Sequence, residues 1–477
     1  MPEEPQPTPL HTKIKQVFGR LAIDKRRLPM SQLNKRGIPA YVAEWVLDTI
    51  TPGNGALTPQ ESEKLQAWAQ RYIPQPGDAN LIKNRLLSGE IVKVLTPVQV
   101  DVVLTRKNQD RIARMSLLGI SDAAIPDSLV ETYPDLLNQG MWGVAELVNT
   151  ENGVILSSFR PMQASVNLDL YKQARAQFNL EEWRALLLTS MGYNPNTFTP
   201  EESLWLLCRL LPLVQKSMHL MELAPKGTGK SYIYENINPR VRLLSGGNVS
   251  PAVLFVNNAS GQWGLLARYA VVVLDEVQTL KFEKPQEIVG GLKGFLANGR
   301  LTRGGMHETA SDCGLTLLAN ITLDSNQQPL ADPLVKELPE FLQETAFLDR
   351  LRGLIPGWRI RKLSGACFAT DIGLKSDFFG DALLSLRNDL VLDEYVSRRV
   401  RLTGTKVFKR NEDAVRSIAS GLMKILFPHG QVSDLEFEHW CVQPAVQLRQ
   451  YIWEQLQTLD AEYRQYPAAI TYEITPE

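Results

Sequence analysis

The chain has 477 residues, and its 51 lysines and arginines nearly balance its 52 aspartates and glutamates, so the formal net charge is −1. This length predicts roughly two to four domains. No apolar run approaches the roughly 18 residues that span a bilayer, and the polar N-terminus lacks the apolar segment of a secretory signal. The sequence therefore predicts neither a membrane-spanning nor a secreted protein. It predicts a cytoplasmic protein whose contacts with nucleic acid, if any, come from local basic patches.

The first 87 residues predict a helical, basic N-terminal domain, with apolar positions three and four apart in "IPAYVAEWVLDTI" and "ESEKLQAWAQRYI". Residues 13–36 hold eight basic side chains against one acid, Asp24. A cluster of this kind can lie along phosphates, which makes Lys25, Arg26 and Arg27 candidate DNA contacts. The alternatives are a solvated helical face and a surface that meets an acidic neighbouring subunit.

Residues 88–165 change to a β-rich pattern. "EIVKVLTPVQVDVVLT", "RIARMSLLGI", "MWGVAELVN" and "VILSSFRPM" are strand-like and are separated by turn residues such as "NTENG". Four or five short strands of this kind predict a small barrel or sandwich, here an OB-like domain.

Residues 166–375 predict an α/β domain with leading helices, one of which starts at "TPEE", residues 199–202. "MHLMELA", "AVLFVN", "YAVVVLDEV" and "GLTLLANIT" predict apolar strands. Strands that apolar are buried on both faces, so the fold class is a parallel sheet with helices on both faces. Residues 376–477 predict a helical lid and C-terminal helices.

A glycine-rich loop follows the first of these strands in "LAPKGTGKSYIYE". Gly227, Thr228, Gly229, Lys230 and Ser231 form the end of a phosphate-binding loop, although Ala224 stands where the usual pattern has its first glycine. Backbone N–H groups of such a loop wrap phosphates, the lysine reaches the β- and γ-phosphates, and the serine hydroxyl ligates Mg²⁺. ATP and Mg²⁺ are the predicted cofactors.

Two acids end the strand "VVVLDE". Asp275 is predicted to hold Mg²⁺ with Ser231, and Glu276 to activate the attacking water. The alternative is that both acids cap the next helix. Asn320, at the end of "LTLLAN", is predicted to contact the γ-phosphate or the attacking water, the alternative being a turn amide.

Two further groups of basic residues follow from the sequence. "FLDRLRGLIPGW" carries Arg350 and Arg352, either of which can bring a guanidinium to a γ-phosphate, and Arg350 is the preferred candidate. "LANGRLTRGGMHETA" predicts a glycine-flanked hairpin whose Arg300 and Arg303 are candidate DNA contacts. The alternative is a plain surface hairpin.

Beyond these motifs, the runs "EEWRALLLTSMGYNP", "LAPKGTGKSYIYENINPR", "VVVLDEVQTL" and "FLANGRLTRGG" resemble the BrxL family of BREX bacteriophage-defence systems. The likeness covers nearly the whole chain. It implies an AAA+ motor similar to that of minichromosome-maintenance helicases. By this resemblance Asn320 is the sensor, Arg350 the arginine finger and Arg410 a second sensor.

The resemblance also implies a homo-oligomeric ring, a hexamer that stacks into a dodecamer, around duplex DNA. Other BREX proteins would be its partners, and no membrane is involved. Longer members carry a C-terminal Lon-like protease-type domain to which the likeness does not extend, so protease activity is not expected. The leading hypothesis is thus that the chain is an ATP-driven, sequence-nonspecific DNA translocase or clamp in phage defence. The alternatives are an AAA+ unfoldase or regulatory subunit that serves a separate protease or effector, and a clamp that uses ATP only as an assembly switch.

Overall fold

The computed structural model describes residues 9–75, 77–104, 109–162, 166–258, 261–303 and 307–476. Its N-terminal part is mostly helical. The elements are α1 (Pro9–Phe18), β1 (Ala22–Asp24), α2 (Arg27–Ser31), α3 (Ala40–Ile50), α4 (Pro59–Tyr72) and α5 (Ala79–Leu87). Helix α4 begins at a capping box in which the side chains of Thr58 and Glu61 satisfy each other's backbone N–H groups. Val42 and Val46 of α3 pack with Leu65 of α4 in one buried cluster.

A closed barrel of five strands follows, which confirms the predicted small β-domain. Its elements are β2 (Val92–Leu104), β3 (Gln109–Met115), β4 (Ile120–Ala124), α6 (Asp127–Thr132), β5 (Met141–Thr150) and β6 (Gly153–Pro161). The strand order is β2-β3-β4-β6-β5. Along β5 every second residue from Met141 to Leu147 is buried, because alternate side chains of a strand point to opposite faces.

The central part contains a parallel sheet of five strands, ordered β15-β7-β14-β10-β8. Its first elements in chain order, up to strand β10, are α7 (Leu168–Arg175), α8 (Leu180–Ser190), α9 (Pro200–Cys208), α10 (Leu211–Val214), β7 (Leu220–Ala224), α11 (Tyr232–Asn236), β8 (Val241–Ser245), β9 (Asn248–Val249), α12 (Pro251–Leu254), α13 (Leu265–Arg268) and β10 (Val271–Asp275). Those that follow are β11 (Lys281–Phe282), α14 (Pro285–Asn298), β12 (Arg300–Arg303), β13 (His307–Ala310), β14 (Gly314–Asn320), α15 (Thr345–Leu348), β15 (Gly353–Pro356) and β16 (Ile372–Leu374).

Both faces of this sheet are covered, as the apolar strands predict. Val271 and Val273 of β10 belong to one hydrophobic cluster, whereas Val272 and Leu274 belong to a second one on the opposite face. The predicted strand "AVLFVN" is wrong, because its first residues lie in the short helix α12. Ser250 caps that helix by accepting the N–H of Val253, and Pro251 occupies its first turn.

The C-terminal part is the predicted helical region with one small two-stranded sheet. It comprises α16 (Ser376–Leu386), α17 (Leu390–Arg399), β17 (Val400–Thr403), α18 (Lys409–Leu426), α19 (Asp434–Phe437), α20 (Gln443–Leu459), α21 (Ala461–Arg464) and β18 (Thr471–Ile474). Strand β1 pairs antiparallel with β16, so the N-terminal part is joined to the start of this region by backbone hydrogen bonds. Among the helices of the described ranges, none combines the length and apolarity of a membrane span.

Candidate functional site

The glycine loop connects β7 to α11 at the carboxyl edge of the parallel sheet, where ligands of open α/β sheets bind. Gly227 and Gly229 have φ values of +88° and +69°, a conformation that side chains with a Cβ rarely adopt. Gly229 also lies under the side chain of Leu363, since a Cβ built on it would be 2.5 Å from Leu363 Cδ1. The backbone N–H of Leu363 donates to the carbonyl of Gly227 at 2.8 Å, which holds the loop in place.

Ala224 is compatible with this loop. It is the last residue of β7, and its φ lies outside the left-handed region that would require glycine. The space next to it is provided by Gly357, where a built Cβ would come within 2.4 Å of Ala224 Cβ. The glycine missing from the usual pattern is thus matched by a glycine on the neighbouring segment.

Four of the predicted site residues come together at this edge. The Nζ of Lys230 donates to Asn320 Oδ1 at 2.8 Å, and the Ser231 hydroxyl donates to Asp275 Oδ2 at 2.7 Å. These four residues are separated by up to 90 positions in the sequence. They meet because β7, β10 and β14 are parallel neighbours that end at the same edge.

Glu276 takes an unusual backbone conformation directly after β10, with φ at +48°. For a residue with a Cβ this costs roughly 1–2 kcal/mol, and such strain is common at functional sites. The turn is held by the Thr279 N–H, which donates to the Glu276 carbonyl at 2.7 Å. This turn ends β10 at Asp275. The Glu276 side chain is half-buried, and the Glu276 N–H donates to Asp275 Oδ1 at 2.9 Å.

Gln278 is a site residue that sequence reasoning missed. Its side-chain amide donates to the Asn320 carbonyl at 2.5 Å and accepts the Asn320 N–H at 3.2 Å. These two bonds fix the backbone of Asn320 relative to the turn that carries Glu276. The spacing of Gln278 three residues after Asp275 was the only signal available, and a lone glutamine in a turn predicts nothing by itself.

The electrostatics of the loop suit an anionic ligand. Lys230 is 7% exposed, and burial lowers the pKa of its ammonium group, an effect that Glu222 and Asp275 partly oppose. An anion bound beside Lys230 would favour its charged form. Ser231 and Asp275 supply two oxygen atoms of the kind that Mg²⁺ prefers, and they already lie side by side. The residues present therefore fit a nucleotide phosphate and Mg²⁺.

Arg350, Arg352 and Arg410 lie away from this group. Strand β15 runs parallel to β7, and the Arg352 N–H donates to the carbonyl of His219, the residue that precedes β7. Arg350 and Arg352 thus lie at the amino edge of the sheet, whereas the glycine loop lies at the carboxyl edge. The five residues of β7 separate the two edges by about 16 Å.

Arg410 is joined to the same amino edge. Its guanidinium pairs with Asp349, which also accepts from the fully buried Arg449 at 2.7 Å. Arg410 thus lies beside Arg350, the next residue after Asp349, and burial together with the charge of Arg410 lowers the pKa of Arg350. The structure therefore divides the predicted residues into two groups on opposite edges of one sheet.

The basic candidates of the N-terminal part are less accessible than the sequence predicts. Lys25 and Arg27 are buried, and they pair with Glu44 at 2.6 Å and Glu61 at 2.8 Å. Arg26 is partly exposed and forms a two-pronged pair with Asp24. Lys25 and Arg27 are thus not available to lie along a phosphate backbone, contrary to the prediction, because tertiary contacts use their charges internally.

The predicted hairpin forms from β12 and β13, which pair antiparallel with Arg300 opposite Ala310. Arg300 is 65% exposed, and its guanidinium lies 3.6 Å from Glu308 across the hairpin. The side chain of Arg303 lies outside the described residues, although its backbone is the last of β12. The hairpin precedes β14, so it lies at the amino edge of the sheet.

The barrel packs against that same edge. Arg240, just before β8, pairs with Asp135 of the barrel region at 3.0 Å, and Arg268 donates to the carbonyl of Asn138 at 3.2 Å. Between the barrel and the sheet edge lies a polar cleft of about 1100 Å³, which Arg114 and Thr309 help to line.

Comparisons with known proteins identify the family of the chain. The family model "Lon-like protease BrxL-like, ATPase domain" matches residues 154–469, and "BREX system Lon protease-like protein BrxL N-terminal" matches residues 16–148. "Lon-like protease BrxL" of Escherichia coli O9:H4 (strain HS) is 30% identical over 433 residues, which cover 88% of this chain and 61% of that protein. "Lon-like protease BrxL" of Bacillus cereus (strain H3081.97) is 28% identical over 406 residues, covering 83% and 59%. The chain spans about three fifths of the length of these curated relatives. It belongs to the BrxL family of BREX systems, as the sequence motifs predicted, and it contains the ATPase domain of that family.

Proposed function

We propose that this chain is an AAA+ ATPase that assembles into a ring, binds duplex DNA and uses ATP hydrolysis to act on it in bacteriophage defence. The observation that carries the proposal is the division of the site into two groups. Lys230, Ser231, Asp275 and Asn320 converge at one edge of the sheet, and Arg350 and Arg410 neighbour each other at the opposite edge.

Each residue at the carboxyl edge has a role in phosphoryl transfer. Lys230 and the backbone of the glycine loop would hold the phosphates, and Ser231 and Asp275 would hold Mg²⁺, which neutralises charge on the phosphates. Glu276 would orient and deprotonate the attacking water, and Asn320 would contact the γ-phosphate or that water. The strand order, in which the loop strand lies between β15 and β14, supports the AAA+ assignment.

The amino edge would supply the arginines to another subunit. Arg350 is separated from its own glycine loop by the length of β7, so it can stabilise only a neighbour's γ-phosphate. A head-to-tail contact that repeats around an axis closes into a ring, and every site is then completed by the next subunit. The proposed ring is a hexamer, and two such rings stack into a dodecamer.

Duplex DNA is the proposed polymer. The β12–β13 hairpin and the barrel lie at the same edge of the sheet, and Arg300 is exposed on the described part of the hairpin. Contacts of this type go to phosphates, so binding should be weakly sequence-specific and should weaken as salt rises. Other BREX proteins are the proposed partners.

The test is ATP hydrolysis by the purified chain with and without linear duplex DNA, with Lys230→Ala as the blank. A DNA-stimulated rate that Lys230→Ala abolishes supports the proposal. Stimulation by an unfolded protein instead of DNA would favour an unfoldase or regulatory subunit. DNA binding that needs ATP but proceeds without hydrolysis would favour a clamp. Repeating the assay at two salt concentrations separates phosphate contacts from adventitious effects of DNA on the rate.

A further inference from the structure

We propose that a buried network of Tyr193, Arg209 and Glu222 orients the peptide groups of the glycine loop and thereby sets its affinity for nucleotide. These three are positioning residues, since Tyr193 and Arg209 contact the loop from its protein side and Glu222 holds Arg209. The inference rests on the proposed nucleotide site and adds to it three residues to which the sequence motifs assign no role.

The network is built around a fully buried ion pair. Arg209, directly after α9, and Glu222, in the middle of β7, are both 0% exposed. Arg209 Nε donates to Glu222 Oε2 at 3.0 Å, and Nη2 donates to Oε1 at 2.6 Å. The two-pronged geometry satisfies both carboxylate oxygens and leaves the remaining N–H groups of Arg209 facing the loop.

Those remaining groups contact two consecutive carbonyls of the loop. Arg209 Nη2 and Nη1 donate to the Thr228 carbonyl at 3.2 and 3.3 Å, and Nη1 also donates to the Gly229 carbonyl at 3.3 Å. The Tyr193 hydroxyl donates to the Gly229 carbonyl at 3.3 Å and accepts from Arg209 Nη1 at 3.2 Å. Both carbonyls are therefore drawn toward the interior by the same cluster.

Fixing a carbonyl also fixes the N–H of the same peptide group. In a planar trans peptide the C=O and N–H bonds point in opposite directions. Carbonyls of Thr228 and Gly229 that face Arg209 therefore turn the N–H groups of Gly229 and Lys230 away from the protein interior. The open side of the loop, where a phosphate would lie, then presents these two N–H groups as donors.

Orientation rather than charge is the contribution of this network. Burial favours neutral Arg209, but the adjacent carboxylate of Glu222 outweighs it and the pKa of Arg209 is raised, so the guanidinium stays charged. The positive charge of Arg209 is compensated by Glu222 at hydrogen-bond distance. A lysine at position 209 would keep the charge but could not reach the carboxylate and both carbonyls together.

The sharpest test is Tyr193→Phe, which removes one hydroxyl and keeps the ring that packs against Phe198. Affinity for a ribose-labelled fluorescent ATP analogue is measured with Mg²⁺, together with kcat and KM for ATP. We expect Kd and KM to rise about 3- to 10-fold, the effect of one lost hydrogen bond, with kcat at saturating ATP unchanged within about twofold. Tyr171→Phe is the matched control, because Tyr171 is equally buried and packs against Trp183 and Phe378 instead of the loop.

A Kd for Tyr193→Phe equal to that of the wild-type and Tyr171→Phe proteins overturns the inference. If Tyr193→Phe does not fold, Arg209→Lys is measured in the same way, with Arg175→Lys as the control for a buried arginine, since Arg175 donates to the carbonyls of Leu426 and Phe178 instead of to the loop. Arg209→Lys should weaken binding at least about tenfold. Failure of the proposed function itself looks different. In that case the wild-type protein and Lys230→Ala bind the analogue equally weakly, and the positioning role of the network is overturned together with the proposed nucleotide site.

Discussion

The ammonium group of Lys230 lies 2.8 Å from Oδ1 of Asn320, so the loop lysine is held by the end of β14. A bound γ-phosphate would have to share this ammonium with Asn320. The contact therefore links the loop to the strand that carries the proposed sensor, and it can be tested by a change of charge without a change of shape.

Asn320→Asp places a carboxylate beside Lys230. The new charge would pair with the ammonium and repel the γ-phosphate, which ATP has and ADP lacks. We expect affinity for ATP to fall more than about tenfold and affinity for ADP to fall less than about threefold. Competition binding against the fluorescent analogue measures both. Asn248→Asp, at an exposed position, is the control, and equal losses for ATP and ADP would contradict the assignment of Asn320.

Gly229→Ala tests why the loop needs glycine. The residue has φ at +69°, and its Cβ would meet Leu363 Cδ1 at 2.5 Å. Gly246 has nearly the same φ, +71°, and a Cβ built on it would have nothing within 4 Å. Alanine at 246 should therefore cost only the backbone strain, about 1–2 kcal/mol in the free energy of unfolding. Alanine at 229 should lower the free energy of unfolding by more than alanine at 246 does, and it should also weaken nucleotide binding. Urea denaturation measures the first effect, and binding of the fluorescent analogue measures the second. Equal destabilisation by the two variants would mean that Leu363 simply moves aside.

The loop, its acids and the barrel could be predicted from sequence because each is specified locally. Glycine spacing, an apolar strand that ends in two acids, and alternating residues between turns are patterns within about 15 residues. Strand β8 was missed because "VRLLS" at the sheet edge is too polar to resemble its buried neighbours. The misassigned strand at 252–257 shows the opposite error, since its apolar residues outweighed the Ser250–Pro251 cap.

Which charged residues are buried, and with which partners they pair, could not be predicted because the partners are distant in the sequence. Glu222 and Arg209 each stand alone in an apolar run, and that shared isolation was the available signal for a buried pair. Glu44 is likewise the single charged residue of "IPAYVAEWVL", but Lys25 lies between Asp24 and Arg26 and gave no such signal. Their pair also involves Ser376, whose backbone N–H donates to Glu44 Oε2 at 2.7 Å across 332 positions.

Lys25→Met distinguishes a buried pair from a DNA contact. The substitution leaves the carboxylate of Glu44 buried without its partner, which should lower the free energy of unfolding by about 3–5 kcal/mol. Lys35→Met, at an exposed position of the same basic cluster, should change it by less than about 0.5 kcal/mol. Chemical denaturation compares the two. A stable Lys25→Met protein with weakened, less salt-sensitive DNA binding would restore Lys25 as a phosphate contact.

Asp377 predicts a pH-dependent stability. Burial raises its pKa to about 6, in the first turn of α16. Between its ordinary pKa and about 6 the folded chain binds a proton that the unfolded chain has released, so this residue lowers stability as pH rises through that window. Asp377→Asn stays neutral at every pH. It should therefore gain about 1–2 kcal/mol at pH 7.5 and much less at pH 4.5.

Thermal or chemical unfolding of Asp377→Asn at the two pH values measures this gain. Asp122→Asn, at an exposed position of the barrel, is the control for loss of one negative charge. A gain of the same size at both pH values would assign the effect to the altered hydrogen bond with the Phe378 N–H instead of to titration.

Arg350 offers the strongest test of the ring. Because it lies at the edge opposite its own loop, Arg350→Ala should leave nucleotide binding intact and lower hydrolysis by about 100-fold or more. Glu276→Gln should have the same phenotype for a different reason, loss of the residue that activates water. Each variant alone should hydrolyse ATP slowly, yet each retains what the other lacks.

Mixing the two variants distinguishes action between subunits from action within one. In a mixed ring, an Arg350→Ala subunit still has its own Glu276 and can receive Arg350 from a Glu276→Gln neighbour. In rings assembled at random from equal amounts of the two variants, about a quarter of the sites have both their own Glu276 and a neighbour's Arg350. The mixture should therefore recover about a quarter of the wild-type rate. Arg352→Ala is run in parallel to decide between the two arginines, and recovery with that variant instead would assign the role to Arg352. No recovery with either, once subunit exchange is verified by labelled chains, would show that each site is completed within its own subunit.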